Sequence, residues 1–575
     1  MRKKFAWLLL AGIVISAILY LTIPRRIIRN AYIYLNGSNI AKMQTEPVLA
    51  IFDRDSKRLN PQSGPFQYFN FQVSGPGDDP GKLARPRDGQ PIMITVAMWN
   101  KFISENPLES VVKGSYDKTV EKICGAFANS TGPVYIRWNP EMEVPANVYP
   151  WQGQSPILYN QAFKHFSTLC RKWLPQAKIV WSTAGYPGLL EYFPGEELVD
   201  YVGVTLQNSS EGSTKAYPKY ESLSNEIERK IHRMRFIAKP IIVFGQPEHS
   251  AAALNSDLKA AADNIFRDQA IIYETISRTG LKENSFGRER ALVSIGVYDP
   301  NNQLSRMPEI SIEHLFPHWS NLRDGTFRKG FNEVIDRNHD VIVTMEPWRD
   351  IGGKNDLNVL ENTIAGTYDE QLKELFSIIS NVKQTVYLRW THEMEIPISR
   401  YPWQSQPPVT YIKAFRHFAS FRKPGVSNVK LVFGPTGDRG LQDWWPGDDV
   451  IDFISMAIYG LPDKNITDYR KQESFQTIFK RKSDRMRFFD KPLIISEFGI
   501  KGPEEFQLEW LLEASKTINR NPHIKAVCYF NMPDSPKAWG DIEAPDWTVS
   551  KQTFGTFIKS LKVEGDNRTL VSREL

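Results

Sequence analysis

The chain has 575 residues, 41% of them hydrophobic and 24% charged, with a formal net charge of +6. That length is too great for one hydrophobic core and fits two units of about 250 to 270 residues, the usual size of an eight-stranded α/β barrel. Arg2, Lys3, Lys4, Arg25, Arg26 and Arg29 equal the whole net charge in number and the first 30 residues hold no acid, so the remainder is neutral and gives no support to nucleic-acid binding.

In chain order, Arg2-Lys3-Lys4 precedes an uncharged apolar run from Phe5 to Ile23, and Pro24-Arg25-Arg26 follows it at once. Such a run can cross a bilayer as one helix. No small-residue cleavage pattern follows it, so residues 1–30 read as a cytoplasmic tip and retained membrane anchor rather than a cleaved signal peptide. Three basic residues on each side leave its orientation nearly tied by the positive-inside rule. A juxtamembrane linker is expected over 31–45.

Residues 46–285 and 286–562 then read as two versions of one segment, ahead of a polar tail at 563–575. YIRWNPEMEVPANVYPWQ (Tyr135 to Gln152) recurs as YLRWTHEMEIPISRYPWQ (Tyr387 to Gln404) at a constant offset, 389 − 137 = 252 residues. The same offset relates Tyr116 to Tyr368, Pro194-Gly195 to Pro446-Gly447, Arg233-Met234-Arg235-Phe236 to Arg485-Met486-Arg487-Phe488, and Lys239-Pro240 to Lys491-Pro492. This is the pattern of a duplicated domain. Short apolar strands alternate with longer amphipathic stretches throughout, which predicts βα units and a parallel sheet. In the first copy EPVLAIFDR, PIMITVAMWN, GPVYIRWN, AKIVWSTAG, LVDYVGVTLQN and KPIIVFGQ read as strands. Its eighth strand is open: QAIIYETI fills the place, or belongs to a long helix running from Ala251 towards Thr279. In the second copy the strands are ALVSIGVYD, DVIVTMEPW, QTVYLRWTHE, VKLVFGP, VIDFISMAIYG, PLIISEFG and IKAVCYFN, with ENTIAGTYDEQLKELFSIISN and VTYIKAFRHFASFRK helical between them. The expected fold is two tandem (β/α)8 TIM-type barrels behind an N-terminal transmembrane helix. Cys124, Cys170 and Cys528 are too few for a disulfide framework and lack metal-ligand spacing; buried thiols, or a Cys124–Cys170 bridge, are the open readings.

In such a barrel the catalytic groups lie at the C-terminal ends of the strands. Glu393 ends QTVYLRWTHE and Glu497 ends PLIISEFG, so both belong at that mouth, and Arg389, Thr391 and Glu393 share strand parity. Two carboxylates facing across a barrel are the equipment for glycosidic bond cleavage: one protonates the leaving oxygen, the other attacks the anomeric carbon or activates water. The acid needs a raised pKa.

Arg389-Trp390-Thr391-His392-Glu393-Met394, followed by Tyr401-Pro402-Trp403, resembles the strand-four signature of glycoside hydrolase family 26. Ser496-Glu497-Phe498-Gly499 is similar to that family's nucleophile motif, WWPGDDVIDFISMAIYG to the segment leading to its strand-six tyrosine, here Tyr459, and GVYDPNNQLS to its opening. The resemblance covers most of Leu292 to Phe554. It implies Glu393 as general acid/base, Glu497 as nucleophile, His392 beside the reaction centre, Tyr459 as a donor to the nucleophile, a supporting Arg389, and retention of anomeric configuration, with no metal or organic cofactor. Two departures bear on the subsites: Glu395-Ile396 replaces the familiar Asn-Gly, and the strand-five segment reads GPTGDRG. Trp348, Trp390, Trp403, Trp444, Trp445, Trp539 and Trp547 are candidate sugar platforms, since pyranose faces pack on aromatic rings; Glu346 beside Trp348 is a candidate polar subsite residue.

In the first copy His392 becomes Pro140, Tyr459 becomes Gln207, Glu497 becomes Gly245 and, with a three-residue shift, Glu346 becomes Ala97; only Glu141 is retained, and Glu248 lies three residues past the nucleophile position. The first copy is therefore expected to be a degenerate, inactive barrel. The expectation for the whole chain is a single-pass protein of the inner or plasma membrane with extracytoplasmic barrels, hydrolysing internal β-linkages of a β-glucan or β-mannan beside a membrane polysaccharide synthase or export complex. The alternatives are a noncatalytic polysaccharide-binding scaffold of such a complex, and a transglycosylase using the same two glutamates.

Overall fold

The computed structural model describes residues 47–54, 58–61, 66–78, 86–98, 106–145, 149–206, 222–245, 251–276, 293–348, 355–396, 400–461, 469–539 and 542–571. The apolar run from Phe5 to Ile23, and with it the expected membrane anchor, lies outside these residues; among those described, no helix is long and apolar enough to cross a membrane. The chain divides into two compact units, one of residues 1–208 and 238–262, the other of 209–237 and 263–575.

The first unit holds an eight-stranded sheet made of β1 (Val48–Asp53), β2 (Arg58–Pro61), β3 (Gln67–Val73), β4 (Ile92–Met98), β5 (Val134–Trp138), β6 (Lys178–Thr183), β7 (Tyr201–Thr205) and β8 (Ile241–Phe244). Its order is β2-β1-β8-β7-β6-β5-β4-β3, and it is open. Strands β3 to β8 are parallel, but β1 runs antiparallel to both β8 and β2. The expected closed barrel is thus corrected. The edge of β8, where a parallel seam would form, is occupied by an antiparallel hairpin, and the open question over QAIIYETI resolves as helix, at Ala251–Arg267 and Gln269–Ile272.

The second unit closes. Strands β9 (Ser294–Tyr298), β10 (Ile312–Leu315), β11 (Asp340–Met345), β12 (Val386–Trp390), β13 (Val429–Phe433), β14 (Phe453–Tyr459), β15 (Leu493–Gly499) and β16 (Ile524–Phe530) form a parallel barrel in sequence order, β16 returning to β9. Strand β15 is buried along its whole length, as expected where a parallel sheet is covered on both faces. Ile312, Ile342, Ile494, Ala526 and Cys528 pack with Tyr387 and Phe453 into one core cluster. Strand β10, IEHL, has no counterpart among the expected strands. It reads as polar, yet it lies in the barrel because its carboxylate and imidazole have internal partners: Glu313 accepts from Arg337 at 2.7 Å, and His314 Nε2 meets Thr344 Oγ1 at 2.7 Å.

Closure between β9 and β10 rests on two residue pairs, Ile312 with Gly296 and Glu313 with Val297. A Cβ at Gly296 would stand 2.9 Å from Ile312 Cβ and 3.1 Å from its carbonyl oxygen, and backbone cannot give way as a side-chain tip can. Gly296→Val is expected to destabilise the second unit by about 1–3 kcal/mol, read as a lowered urea midpoint with an unchanged slope.

Candidate active site

Strand β12 ends at Trp390, and the chain then enters two left-handed residues, Thr391 at φ 49° and Glu393 at φ 58°. Non-glycine residues rarely stay there unless the surroundings over-determine them. Here they do: Glu393 N–H donates to the Gly434 carbonyl at 2.9 Å, Trp403 Nε1 to the His392 carbonyl at 2.7 Å, and Gln404 Nε2 to the Glu393 carbonyl at 3.1 Å. Strand parity therefore does not carry past Trp390; this fixed turn aims the Glu393 side chain into the mouth of the barrel.

Glu497 reaches the same mouth by a different device. The registers of β14 with β15 and of β15 with β16 both shift beside it, and such irregularities re-aim a side chain. One carboxylate oxygen accepts from Arg389 Nη1 at 2.7 Å and the other from Tyr459 Oη at 3.2 Å. Arg389 is itself buried, and its Nη1 also donates to Thr344 Oγ1 at 3.0 Å, so one guanidinium ties together β11, β12 and β15. Burial, then Glu497, pushes the Tyr459 phenol well above its usual pKa, which keeps it a donor.

Both glutamates line a cavity of about 250 Å³. Desolvation first, and repulsion from Glu497 second, push the Glu393 carboxyl up to about 8, against the opposing pull of Arg400. Glu346 lies on the same wall, accepts Trp348 Nε1 at 3.0 Å, and is raised by burial against the hydrogen bonds of Trp348 and Tyr401. Its other oxygen stands 3.7 Å from His392 Nε2, too long for a hydrogen bond. Burial, then Arg389, holds the His392 imidazole well below its usual pKa, so it faces Glu346 as a neutral ring.

The structure brings Arg389, His392, Glu393, Tyr459, Glu497 and Glu346 together, and parts from most of the expected tryptophan platforms. Trp390 is fully buried and stacks on Phe418 at 5.0 Å, Trp403 is buried against Tyr401 at 4.6 Å, and Trp445 is buried against Phe489 at 4.1 Å. Trp444 and Trp547 are buried as well. Trp348 and Trp539 are half-buried, and neither lines the cavity. The aromatic wall consists instead of Tyr298, Phe316 and Phe530, with Tyr298 5.0 Å from Phe316 and 4.8 Å from Phe530, faced by Tyr401 and Tyr459. Sequence reasoning missed the first three; the available signal was an aromatic at the end of β9 and of β16 and just beyond β10.

The turn recurs 252 residues earlier. Asn139 and Glu141 are left-handed at 39° and 61°, Trp151 Nε1 donates to the Pro140 carbonyl at 2.8 Å, and Gln152 Nε2 to the Glu141 carbonyl at 3.2 Å. The nucleophile position does not recur. A Cβ at Gly245 would stand 2.0 Å from Leu49 Cδ1, so β1 fills the space, and the Arg137 guanidinium lies 4.4 Å over the Phe244 ring. Gln207 and Glu248 lie outside the described residues.

No family profile matches the chain. Among curated proteins it is similar to a β-1,3-xylanase of Alcaligenes sp., 26% identical over 170 residues, 28% of this chain and 31% of that protein. A second β-1,3-xylanase, TXYA of Vibrio sp., is 28% identical over 156 residues, 26% and 30%. Endoglucanase H of Acetivibrio thermocellus is 26% identical over 236 residues, 38% and 25%. The chain thus spans less than a third of the length of each of these relatives. Similar solved structures include the GH26 β-mannanase BoMan26A of Bacteroides ovatus, at 16% identity, 48% of this chain, 90% of that one and a TM-score of 0.36. The catalytic domain of a GH26 endo-β-1,4-mannanase of Bacillus sp. matches at 14%, 49%, 88% and 0.33.

The Glu393 environment gives a test by stability. Its folded pKa of about 8 lies above the unfolded value near 4.5, so wild type loses stability as pH rises from about 4.5 to about 8, where the unfolded chain has released a proton that the folded chain keeps. Glu393→Gln does not titrate. Its Tm is expected to exceed that of wild type by roughly 2–4 °C, or about 1 kcal/mol, near pH 8, with the gap closing towards pH 5.

Proposed function

We propose that the closed barrel is a glycoside hydrolase that cleaves internal β-linkages of a β-glucan or β-mannan with retention of configuration, Glu393 serving as general acid/base and Glu497 as nucleophile. One observation carries the reading: two carboxylates share a cavity in opposite environments, one pushed up to about 8 and the other bound to Arg389 and Tyr459. Environments that separate two carboxyl groups assign the acid and the base. The names of the xylanase and endoglucanase relatives support a β-linked glycan as substrate.

In this mechanism protonated Glu393 gives its proton to the leaving glycosidic oxygen while Glu497 attacks the anomeric carbon. Forming the ester removes the negative charge of Glu497, and with it the repulsion that raises Glu393. Glu393 is then a carboxylate of lower pKa, suited to take a proton from the water that resolves the intermediate. The neutral imidazole of His392, and Glu346 held by Trp348, face the sugar from the strand β11–β12 side. The proposed chemistry calls on no metal or organic cofactor.

We read residues 46–285 as a degenerate duplicate, because the constant offset and the shared left-handed turn accompany a nucleophile position filled by Leu49. The apolar run from Phe5 to Ile23 supports a retained anchor that sets the barrel outside the cytoplasm, beside a polysaccharide synthase or export complex.

The test is product release by the full chain in detergent from glucomannan, mannan, mixed-linkage β-glucan and soluble cellulose. Wild type is expected to act on at least one, and Glu393→Gln and Glu497→Gln to lose at least ~10³-fold in kcat/KM. Equal silence from all three, with polymer still bound, replaces this reading with the scaffold.

A further inference from the structure

The two places where the sequence departs from the family it resembles, Glu395 and the segment GPTGDRG, meet in the structure. Glu395 is buried, and its Oε1 accepts Thr436 Oγ1 at 2.9 Å and the backbone N–H groups of Gly437 and Asp438, each at 3.0 Å. The turn so gripped also contains Gly434, whose carbonyl accepts the N–H of left-handed Glu393. A Cβ at Gly434 would stand 3.1 Å from Arg389 Nε. On the far side lies Lys482, a half-buried cation that the two-glutamate chemistry does not use. Its Nζ donates to the Thr436 carbonyl at 2.7 Å and the Ala457 carbonyl at 2.6 Å, joining β13 to β14, which share only two register pairs. Gly437, at φ 96°, lies against the Lys482 stem, where a Cβ would come within 2.8 Å.

We propose that Glu395 is a positioning residue for Glu393, acting through the turn 434–438, with Lys482 as the cation that holds the turn from beneath. The inference rests on the assignment of Glu393 as acid/base. Left-handed φ at Thr391 and Glu393 is unfavourable unless neighbours enforce it, and the enforcing contact from the β13 side is the Gly434 carbonyl. Glu395 fixes that carbonyl by fixing Thr436, Gly437 and Asp438, two to four residues further on. The grip recurs in the first unit, where Glu143 Oε1 accepts Ala184 N–H at 2.8 Å and Tyr186 N–H at 3.1 Å, and Glu141 N–H donates to the Ser182 carbonyl at 2.9 Å. The lysine position recurs as well, as Lys230 252 residues earlier, which pairs with Glu226 at 2.8 Å. The clamp is therefore part of how this turn is built.

The charged groups facing Glu393 are Glu497, Glu395, Arg389 and Arg400, with Lys482 beyond Glu395. Removing the Glu395 charge lowers the pKa of Glu393, and removing the Lys482 charge raises it. In the full chain, Glu395→Ala is expected to lower kcat ~100-fold with KM within about threefold, the cost of a misplaced acid/base. Glu395→Gln keeps the accepting oxygen and recovers most of kcat, while its alkaline limb moves to lower pH; in Lys482→Met the limb moves to higher pH. A general loss of stability does not shift the limb in opposite directions. The proposal falls if Glu395→Ala keeps kcat within threefold, or if Glu395→Gln is as impaired as Ala with its limb unmoved. Amide exchange separates the two readings: should wild type cleave no glycan, the hydrolase assignment fails, while faster exchange at Gly437 and Asp438 in Glu395→Ala still supports the clamp and unchanged exchange overturns it.

Discussion

The barrel mouth is organised by the buried ion pair between Arg389 and Glu497, 2.7 Å apart with almost no solvent on either side chain. Withdrawing two charges from water costs several kcal/mol per ion, and mutual attraction repays it only where further hydrogen bonds complete both groups. Thr344 and Tyr459 supply one such bond each, while Nε and Nη2 of Arg389 have no hydrogen-bond partner among the described residues. The pair is weak evidence for stability, since an apolar replacement of the same shape would cost less. What it supplies is a fixed negative charge whose position is set by three strands at once. A carboxylate held this way keeps one direction at the cavity wall.

That fixed charge sets the behaviour of its neighbour. Glu393 is pushed up by desolvation and then by Glu497, so it holds its proton in a buried site beside a second carboxylate. In the proposed retaining cycle that charge is consumed in an ester, the second contribution disappears, and the same residue becomes the better base. One electrostatic arrangement would then serve both halves of the cycle. The arrangement demands that neither glutamate drift. The left-handed turn at Glu393 and the strand irregularities beside Glu497 meet that demand by different means, and each trades local regularity for a fixed direction.

Much of this was legible in the sequence, for a physical reason. Strands such as PLIISEFG and QTVYLRWTHE are short apolar runs ending in a charged residue, and in a parallel barrel such an ending has one destination. The illegible parts are those where tertiary contacts override local pattern. IEHL reads as polar, yet it is a barrel strand because Arg337 and Thr344 satisfy its side chains. Trp390, Trp403 and Trp445 read as sugar platforms by residue type alone, but each is buried and stacks on another ring, Phe418, Tyr401 or Phe489, which leaves it in the core. The cavity is lined instead by smaller aromatics at strand ends. EPVLAIFDR has the pattern of a strand, and nothing in that pattern states that it pairs antiparallel.

In the first unit that antiparallel strand and the glycine at residue 245 occur together. With glycine at the position matching Glu497, Arg137 meets no glutamate at residue 245. Its guanidinium lies 4.4 Å over the Phe244 ring and its Nε donates to Thr95 Oγ1 at 2.9 Å, a cation–π and hydrogen-bonded arrangement. The vacated space beside Gly245 is filled by Leu49 from the antiparallel β1. Restoring a glutamate at residue 245 would meet Leu49 before it met Arg137. A single substitution there does not make room for a second carboxylate, because Leu49 of the antiparallel β1 occupies the space, whereas the turn at Glu141 has its own hydrogen bonds from Trp151 and Gln152.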